Sequence, residues 1–389
     1  MRIGFDAKRA AQNATGLGNY SRFVIRILNN FFPDDEQVLY VPNPKKTQHL
    51  DKATANGNDN DINGKNVTKI RFPQRIWKRL RSLWRVWGIT SDLKRDRIDI
   101  FHGLSNELPL NIRKAKCRSV VTIHDLIFLH YPKYYHWIDR KIYDFKFRRA
   151  CSNADRVIAV SEFTKREIMK YYGTPEAKID VVYQGCDPAF SAPIGNEKLD
   201  EVARRYSLPQ QFILYVGSIE ERKNLMLVAK AIASRPSAFS HKIVAVGKRT
   251  PYVDEIRQYL EANGIADRIL FFHKVPFADL PSFYRLATAF VYPSRIEGFG
   301  IPLLEAISSR LPAIGCTGSC LEEAGGPGSI YVDPNDAEAM AEALNKVMGD
   351  ADLRQQMIKA GLDHAKLFTD INLAIQLHNV YEKIKTEQK

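Results

Sequence analysis

Short runs rich in Val, Ile, Phe and Tyr alternate with amphipathic stretches along almost the whole chain. In the first half the runs are Arg2–Phe5, Val38–Val41, Ile98–His102, Ser119–Ile123, Arg156–Val160 and Ile179–Tyr183. In the second half they are Phe212–Val216, Lys242–Val246, Ile269–Phe272, Ala289–Tyr292, Ala313–Gly315 and Ser329–Val332. Strands apolar on both faces, separated by helical patterns, belong to parallel sheets whose crossover helices cover both faces. The pattern predicts an α/β protein of two doubly wound, Rossmann-like domains.

The change-over is expected between Asp187 and Glu197, where Pro188, Pro193 and Gly195 interrupt regular structure. This gives an N-terminal domain over 1–190, a second over 191–370, and a final helix, 371–389, expected to pack back toward the first domain. Residues 43–69 carry Pro, Gly, Asn, Asp and Lys without apolar periodicity and read as a surface insertion. Asp59-Asn60-Asp61 inside it has the look of a metal-binding Asp-x-Asp, but with no strand end nearby it reads as a solvated loop.

Composition narrows the class. Of 389 residues 45% are hydrophobic and 26% charged, as in a soluble globular protein, and no apolar run approaches the ~20 residues that span a bilayer. The start, Met1-Arg2-Ile3-Gly4-Phe5-Asp6, reads directly into a strand, so no secretory leader is expected. Five scattered cysteines, Cys117, Cys151, Cys186, Cys316 and Cys320, fit a reducing compartment and a cytoplasmic location. No metal site is expected, because Cys316 and Cys320 lack a second ligand pair at zinc spacing.

The charge is segregated. Residues 1–190 hold 34 Lys and Arg against 20 Asp and Glu, a net of +14, whereas residues 191–389 are at −1. A domain so biased faces something anionic or simply carries a solubilising surface. Residues 75–87, read as one helix, place Ile76, Leu80, Leu83, Trp84 and Trp87 on a stripe and Arg75, Lys78, Arg79, Arg81 and Arg85 largely elsewhere. That is the pattern of an interfacial helix, and it predicts contact with an anionic membrane or a lipid-linked acceptor.

Ligands of open α/β sheets bind beyond the carboxyl ends of strands. After the run Ala289–Tyr292 comes Ser294, then Glu297-Gly298-Phe299-Gly300-Ile301-Pro302, with Glu305 eight residues beyond Glu297. The glycines allow close backbone approach, Pro302 suits a first helical turn, and the two carboxylates can accept hydrogen bonds from sugar hydroxyls. Glu297, as a loop residue, is expected to matter to a ligand more than to folding. After Phe212–Val216, Gly217 leads to Arg222 and Lys223, a basic pair able to neutralise a diphosphate. In the first half, Gly16-Leu17-Gly18 precedes a helix and serves as either a phosphate-approaching loop or a simple turn. His124 at a strand end can donate to a reacting substrate, with Asp125 fixing its ring. Ser161 either caps the next helix or contacts substrate.

Together these residues resemble glycosyltransferase family 4, the retaining GT-B enzymes, over nearly the whole chain. The signatures are Glu297-x7-Glu305 with Gly298-Phe299-Gly300-x-Pro302, and Arg222-Lys223-Asn224. The resemblance implies two domains facing a central cleft, with the donor mainly on the second. It implies that Arg222 and Lys223 hold the donor diphosphate, Glu305 the ribose and Glu297 the sugar hydroxyls. Gly217, Ser294, Gly298, Phe299 and Gly300 would line the donor site. Gly16 and Gly18 would approach its phosphates or sugar, and His124 would serve the reacting sugar. Glu322 stands where many relatives have proline. The segments Thr122–Leu126 and Val160–Thr164 look most like the mannosyltransferase branch. The implied reaction is hexose transfer with retention, GDP-mannose being the first donor and a UDP-sugar the second. The implied acceptor is a glycan or lipid-linked saccharide of cell-surface polysaccharide synthesis, and no cofactor is called for. A nucleotide-sugar epimerase and a glycogen-type phosphorylase are the rivals within the fold. A nucleic-acid-binding protein is disfavoured, since no recognition motif accompanies the basic charge.

Overall fold

A computed structural model describes residues 1–50, 68–234 and 240–386. Two compact units emerge: Met1–Gln184 together with the chain from Thr369 onward, and Gly185–Phe368. The chain thus changes unit just before the Pro188 break and returns to the first unit ahead of its last helix. Asp59-Asn60-Asp61 lies outside the described residues.

The first unit holds a parallel sheet in the order β3-β2-β1-β4-β5-β6-β7. Its strands are β1 (Arg2–Asp6), β2 (Glu36–Tyr40), β3 (Thr68–Arg71), β4 (Ile100–Gly103), β5 (Arg118–Ile123), β6 (Arg156–Ala159) and β7 (Ile179–Val181). The second has the order β10-β9-β8-β11-β12-β13, also parallel. Here the strands are β8 (Phe212–Val216), β9 (Lys242–Val246), β10 (Ile269–Phe272), β11 (Ala289–Tyr292), β12 (Ala313–Cys316) and β13 (Ile330–Val332). Every run named from the hydrophobic pattern is a strand, to within two residues. In both sheets the strand order reverses between a pair of central strands, β1/β4 and β8/β11, and the crevice at such a reversal is where α/β proteins bind ligands.

Two expectations fail. Residues 43–69 are not irregular throughout, because β3 begins at Thr68 and pairs with β2 from Gln37↔Thr68 to Tyr40↔Arg71. It is an edge strand with one sheet neighbour and a single aliphatic residue, Ile70, so the apolar signal that marks the central strands is missing. Nor is 75–87 one helix: a 3₁₀ turn at Arg75–Lys78 is followed by a separate helix, 81–95, that passes through a π segment at Trp84–Gly88. Tertiary demands override the amphipathic period. Trp84 is fully buried with Val38, Tyr40, Ile89 and Phe101, and its indole Nε1–H donates to Asp92 at 2.7 Å. Arg85 turns inward, donating to Asp6 Oδ2 and to Glu107 Oε2, both at 2.6 Å.

Burial disfavours the Arg85 charge, yet Asp6 and Glu107 overcome it and hold the guanidinium above its ordinary range. Asp6 closes β1, so this ion pair ties the 84–88 segment to the sheet. The final helix, Asp370–Thr386, belongs to the same unit, with Arg26 donating to Asp370 at 2.6 Å. Among the described residues no helix is long and apolar enough to cross a membrane. Arg85→Met should leave Asp6 without its cation and Glu107 with Lys146 alone, at 3.3 Å, and cost about 3–5 kcal/mol in urea unfolding. Adding Asp6→Asn and Glu107→Gln should recover part of that loss; a single variant as stable as the parent would show that the pair carries no such weight.

Candidate functional site

In the second unit the loops after β8 and β11, the strands flanking the reversal point, meet in one cluster. The segment Glu221–Lys223 is a 3₁₀ turn ending at Asn224, whose backbone is left-handed (φ 60°) and whose amide donates to Pro334 O at 2.8 Å. The turn is stitched to the other loop by Arg295 N–H donating to Arg222 O at 3.0 Å and by Arg222 Nη1–H donating to Ile296 O at 2.7 Å. Arg222 and Lys223 thereby both come to Glu297.

The contacts converge on a single oxygen. Glu297 Oε1 accepts from Lys223, from Ser294 Oγ–H at 2.6 Å and from Tyr292 O–H at 3.0 Å, with Arg222 Nη1 at 3.0 Å. Oε2 takes part in none of these bonds. Side-chain exposures of 12–15% for Glu297, Lys223 and Arg222 put the three charges largely out of water. Burial alone would raise the Glu297 carboxyl, but Lys223, Arg222 and the hydrogen bonds bring it down to about 2. Burial pulls Lys223 below the ordinary lysine range although Glu297 opposes it, while Arg222 is held firmly charged by Glu297 and Glu220. The view of Glu297 as a loop carboxylate of little structural consequence is therefore corrected: it is the counter-charge of two buried cations.

The rest of the loop supports this oxygen. Ser294 is fully buried. Phe299, expected to line a donor site, is 3% exposed and packs against Phe368 at 5.5 Å, so its ring anchors the loop instead of facing a ligand. Gly298 is partly exposed between them. Gly300 has φ 110° and lies against Leu321, which a Cβ would meet at 2.8 Å, so only glycine can begin the helix Ile301–Ser308 here. Cys320 Sγ–H donates to Glu297 O at 3.1 Å, a support the sequence did not reveal. Gly217 closes β8 through its N–H to Val246 O at 3.0 Å.

Glu305, inside that helix, bonds elsewhere: Tyr284 O–H donates to its Oε2 at 2.8 Å. Burial raises this carboxyl to about 8, the Tyr284 hydrogen bond opposing and Asp187 adding to the rise. The two glutamates of one motif thus differ in charge, Glu297 ionised and Glu305 protonated at neutral pH.

In the first unit His124 follows β5 and is buried. Its Nε2–H donates to Leu104 O at 2.9 Å, so Nδ1 is the acceptor, facing the Gln184 amide at 3.3 Å. Burial holds the ring neutral, down to about 4. Both nitrogens being engaged, the ring is set by Leu104 and Gln184, not by Asp125, whose Oδ1 accepts Ile127 N–H at 3.1 Å in a turn. Tyr20 meets the imidazole edge-on at 4.6 Å. Tyr20 is held by Thr122 Oγ1 at 3.0 Å, Thr122 by His102 Nε2 at 2.8 Å, and His102 Nδ1 by Tyr381 at 2.7 Å. No sequence signal links these four. Ser161 is a helix cap, its Oγ accepting Thr164 N–H at 3.0 Å. Gly16 opens the helix Gly16–Phe31 with free space around its Cα, whereas a Cβ on Gly18 would lie 1.8 Å from Asn13 O. Gly18 is therefore required by the turn itself.

Residues 35–190 match the family described as Glycosyltransferase Family 4, and residues 200–364 match Glycosyl transferases group 1. The chain belongs to glycosyltransferase family 4. This family 4 glycosyltransferase is 28% identical over 394 residues to O-antigen chain mannosyltransferase B of Escherichia coli, covering 98% of this chain and 100% of that one. Its fold, GT-B, is shared with a Rickettsia africae glycosyltransferase (TM-score 0.74, 17% identity, 100% and 99% of the two chains). Anabaena HepE, solved with UDP and glucose, is also similar (TM-score 0.73, 15% identity, 98% and 100%).

Folded enzyme keeps the Glu305 proton up to about pH 8 against an ordinary 4.5, so the folded state binds the extra proton between these limits and stability falls as pH rises through them. Each tenfold of proton affinity is about 1.4 kcal/mol. Glu305→Gln, which has no proton to lose, should melt above the parent at about pH 9 and converge with it at about pH 5. Parallel melting curves across that range would contradict a protonated Glu305.

Proposed function

We propose that this glycosyltransferase moves a hexose, mannose from GDP-mannose in the first instance, to a glycan or lipid-linked saccharide in cell-surface polysaccharide synthesis. The reaction proceeds with retention of anomeric configuration, in the cytoplasm, at the inner face of a membrane carrying the acceptor. The observation that carries the donor side is the placement of Arg222 and Lys223, two largely buried cations, at the strand-order reversal of the second sheet. They share one carboxylate oxygen, Glu297 Oε1. A nucleotide diphosphate carries more negative charge than that oxygen and offers acceptors that suit an arginine fork and a lysine point charge.

In this reading the diphosphate draws Arg222 and Lys223 from Glu297. The cations then stabilise the charge that grows as the nucleotide diphosphate leaves, without reorganising solvent. Glu297, still held by Ser294 and Tyr292, is left with Oε2 to accept a sugar hydroxyl. Glu305, carrying a proton, can both donate to and accept from a ribose hydroxyl. Gly16, at an open helix start, and His124 are assigned to the donor and the reacting sugar by the family resemblance.

The likeness to an O-antigen mannosyltransferase along the full chain favours mannose and surface polysaccharide. HepE, whose structure contains UDP and glucose, keeps a UDP-sugar as the second donor. Turnover with GDP-mannose should exceed that with UDP-glucose, and the reverse order would install the second donor.

Arg222→Ala or Lys223→Ala removes a charged hydrogen bond worth roughly 1.5–3 kcal/mol, so calorimetry should find nucleotide diphosphate bound about 10- to 150-fold more weakly. Unchanged affinity in both variants would remove the diphosphate from this site.

A further inference from the structure

Eight of the fourteen most exposed large apolar side chains among the described residues come from two short stretches of the first unit, 76–87 and 137–145. On the helix Trp137–Asn153, Trp137 (65% exposed), Ile138, Ile142 and Phe145 (59%) fall on one face by their spacing. The helix is anchored from its other side, where Phe147, Ala150 and Cys151 join the core with Val121 and Val157. Across a groove of about 480 Å³ stand Leu83 and Trp87, 43% and 46% exposed, with Leu108 and Leu110 also lining it. Ile76 (65%) and Leu80 (41%) extend the apolar set along the chain. Each of these eight side chains is at least 41% exposed.

The charge around them is predominantly positive, and the groove's own Glu107 is paired with Arg85 and Lys146. Residues 75–87 and 137–149 contain ten Lys and Arg against two Asp. Arg85 is turned inward, but Arg75, Lys78, Arg79, Lys141, Arg148 and Arg149 are exposed. A second copy of this chain meeting the same face would bring like charges together. An anionic bilayer meets both demands, taking Trp and Phe at the boundary of headgroup and acyl chain and basic side chains at the phosphates.

We propose that this face, built from the Trp137–Phe145 helix surface and the 76–87 segment together, seats the enzyme on an anionic phospholipid bilayer. It differs from an interfacial helix at 75–87: the insertion elements are two, Trp84 and Arg85 take no part, and the 137–145 face contributes the larger exposed aromatic surface. It deepens the reading of a transferase working at a membrane, and its test is independent of the donor site.

The test is co-sedimentation of the full chain with phosphatidylglycerol/phosphatidylcholine vesicles and with phosphatidylcholine alone, at low and high ionic strength. Binding is expected to the anionic vesicles, weakened by salt. Trp137→Ser/Ile142→Ser/Phe145→Ser and Lys78→Gln/Arg79→Gln/Lys141→Gln should each lower partitioning about 10-fold or more. Nucleotide diphosphate affinity and Tm in both variants should stay at parental values, which separates loss of docking from loss of fold or of the donor site. Should the triple serine variant melt early, Trp137→Phe and Trp87→Phe, read by brominated-lipid quenching of tryptophan fluorescence, replace it, and each should lose part of the quenching. Absence of binding to anionic vesicles at low salt, parental binding by both variants, or self-association abolished by the serine substitutions would overturn the proposal.

Discussion

Two cations held against one carboxylate oxygen organise the second unit. Removing Glu297, Arg222 and Lys223 from water is costly, and the cost is met only because Ser294, Tyr292 and the Ile296 carbonyl complete the hydrogen bonding. That requirement explains features far apart in the chain. β8 and β11 are neighbours, so their loops can meet; Gly300 starts a helix where no side chain would fit; Phe299 and Cys320 fasten the loop from below. The cluster of Glu297, Arg222 and Lys223 keeps one net positive charge, partly answered by Glu220. A site so built favours an anion with more charge than a carboxylate.

The first unit uses buried polarity differently. His124 is kept neutral and oriented by a carbonyl and an amide, and the aromatic edge beside it is positioned through Thr122 and His102 by Tyr381 of the last helix. The ring is thus defined in tautomer and direction, with both nitrogens engaged within the unit. The basic excess of this unit is concentrated near exposed aromatics, with Arg85 turned inward beneath them to Asp6 and Glu107.

Much of this was legible in the sequence because central parallel strands are apolar on both faces, and glycine loops after them stand out. Arg222, Lys223, Glu297 and Glu305 were found by their place beyond strand ends. What they contact was not legible, since β8 and β11 are adjacent only through the strand-order reversal. Edge strand β3 carries too little apolar surface to announce itself. Trp84 and Arg85 fit an amphipathic pattern locally, but packing with Val38, Tyr40 and Phe101 buries Trp84, and Asp6 and Glu107, distant in the chain, draw Arg85 inward. Phe299 is placed at the donor site by the family resemblance alone, and packing with Phe368 shows which way its ring turns.

The central claim is that Glu297 holds Arg222 and Lys223 in place of a nucleotide diphosphate. A double-mutant cycle of Lys223→Met and Glu297→Gln, read by unfolding free energy with and without saturating nucleotide diphosphate, tests it most directly. The account predicts a coupling of about 2–3 kcal/mol in free enzyme that falls below about 1 kcal/mol in the complex. The same coupling in both states would show that the ion pair is a fixed structural element and that the diphosphate binds elsewhere.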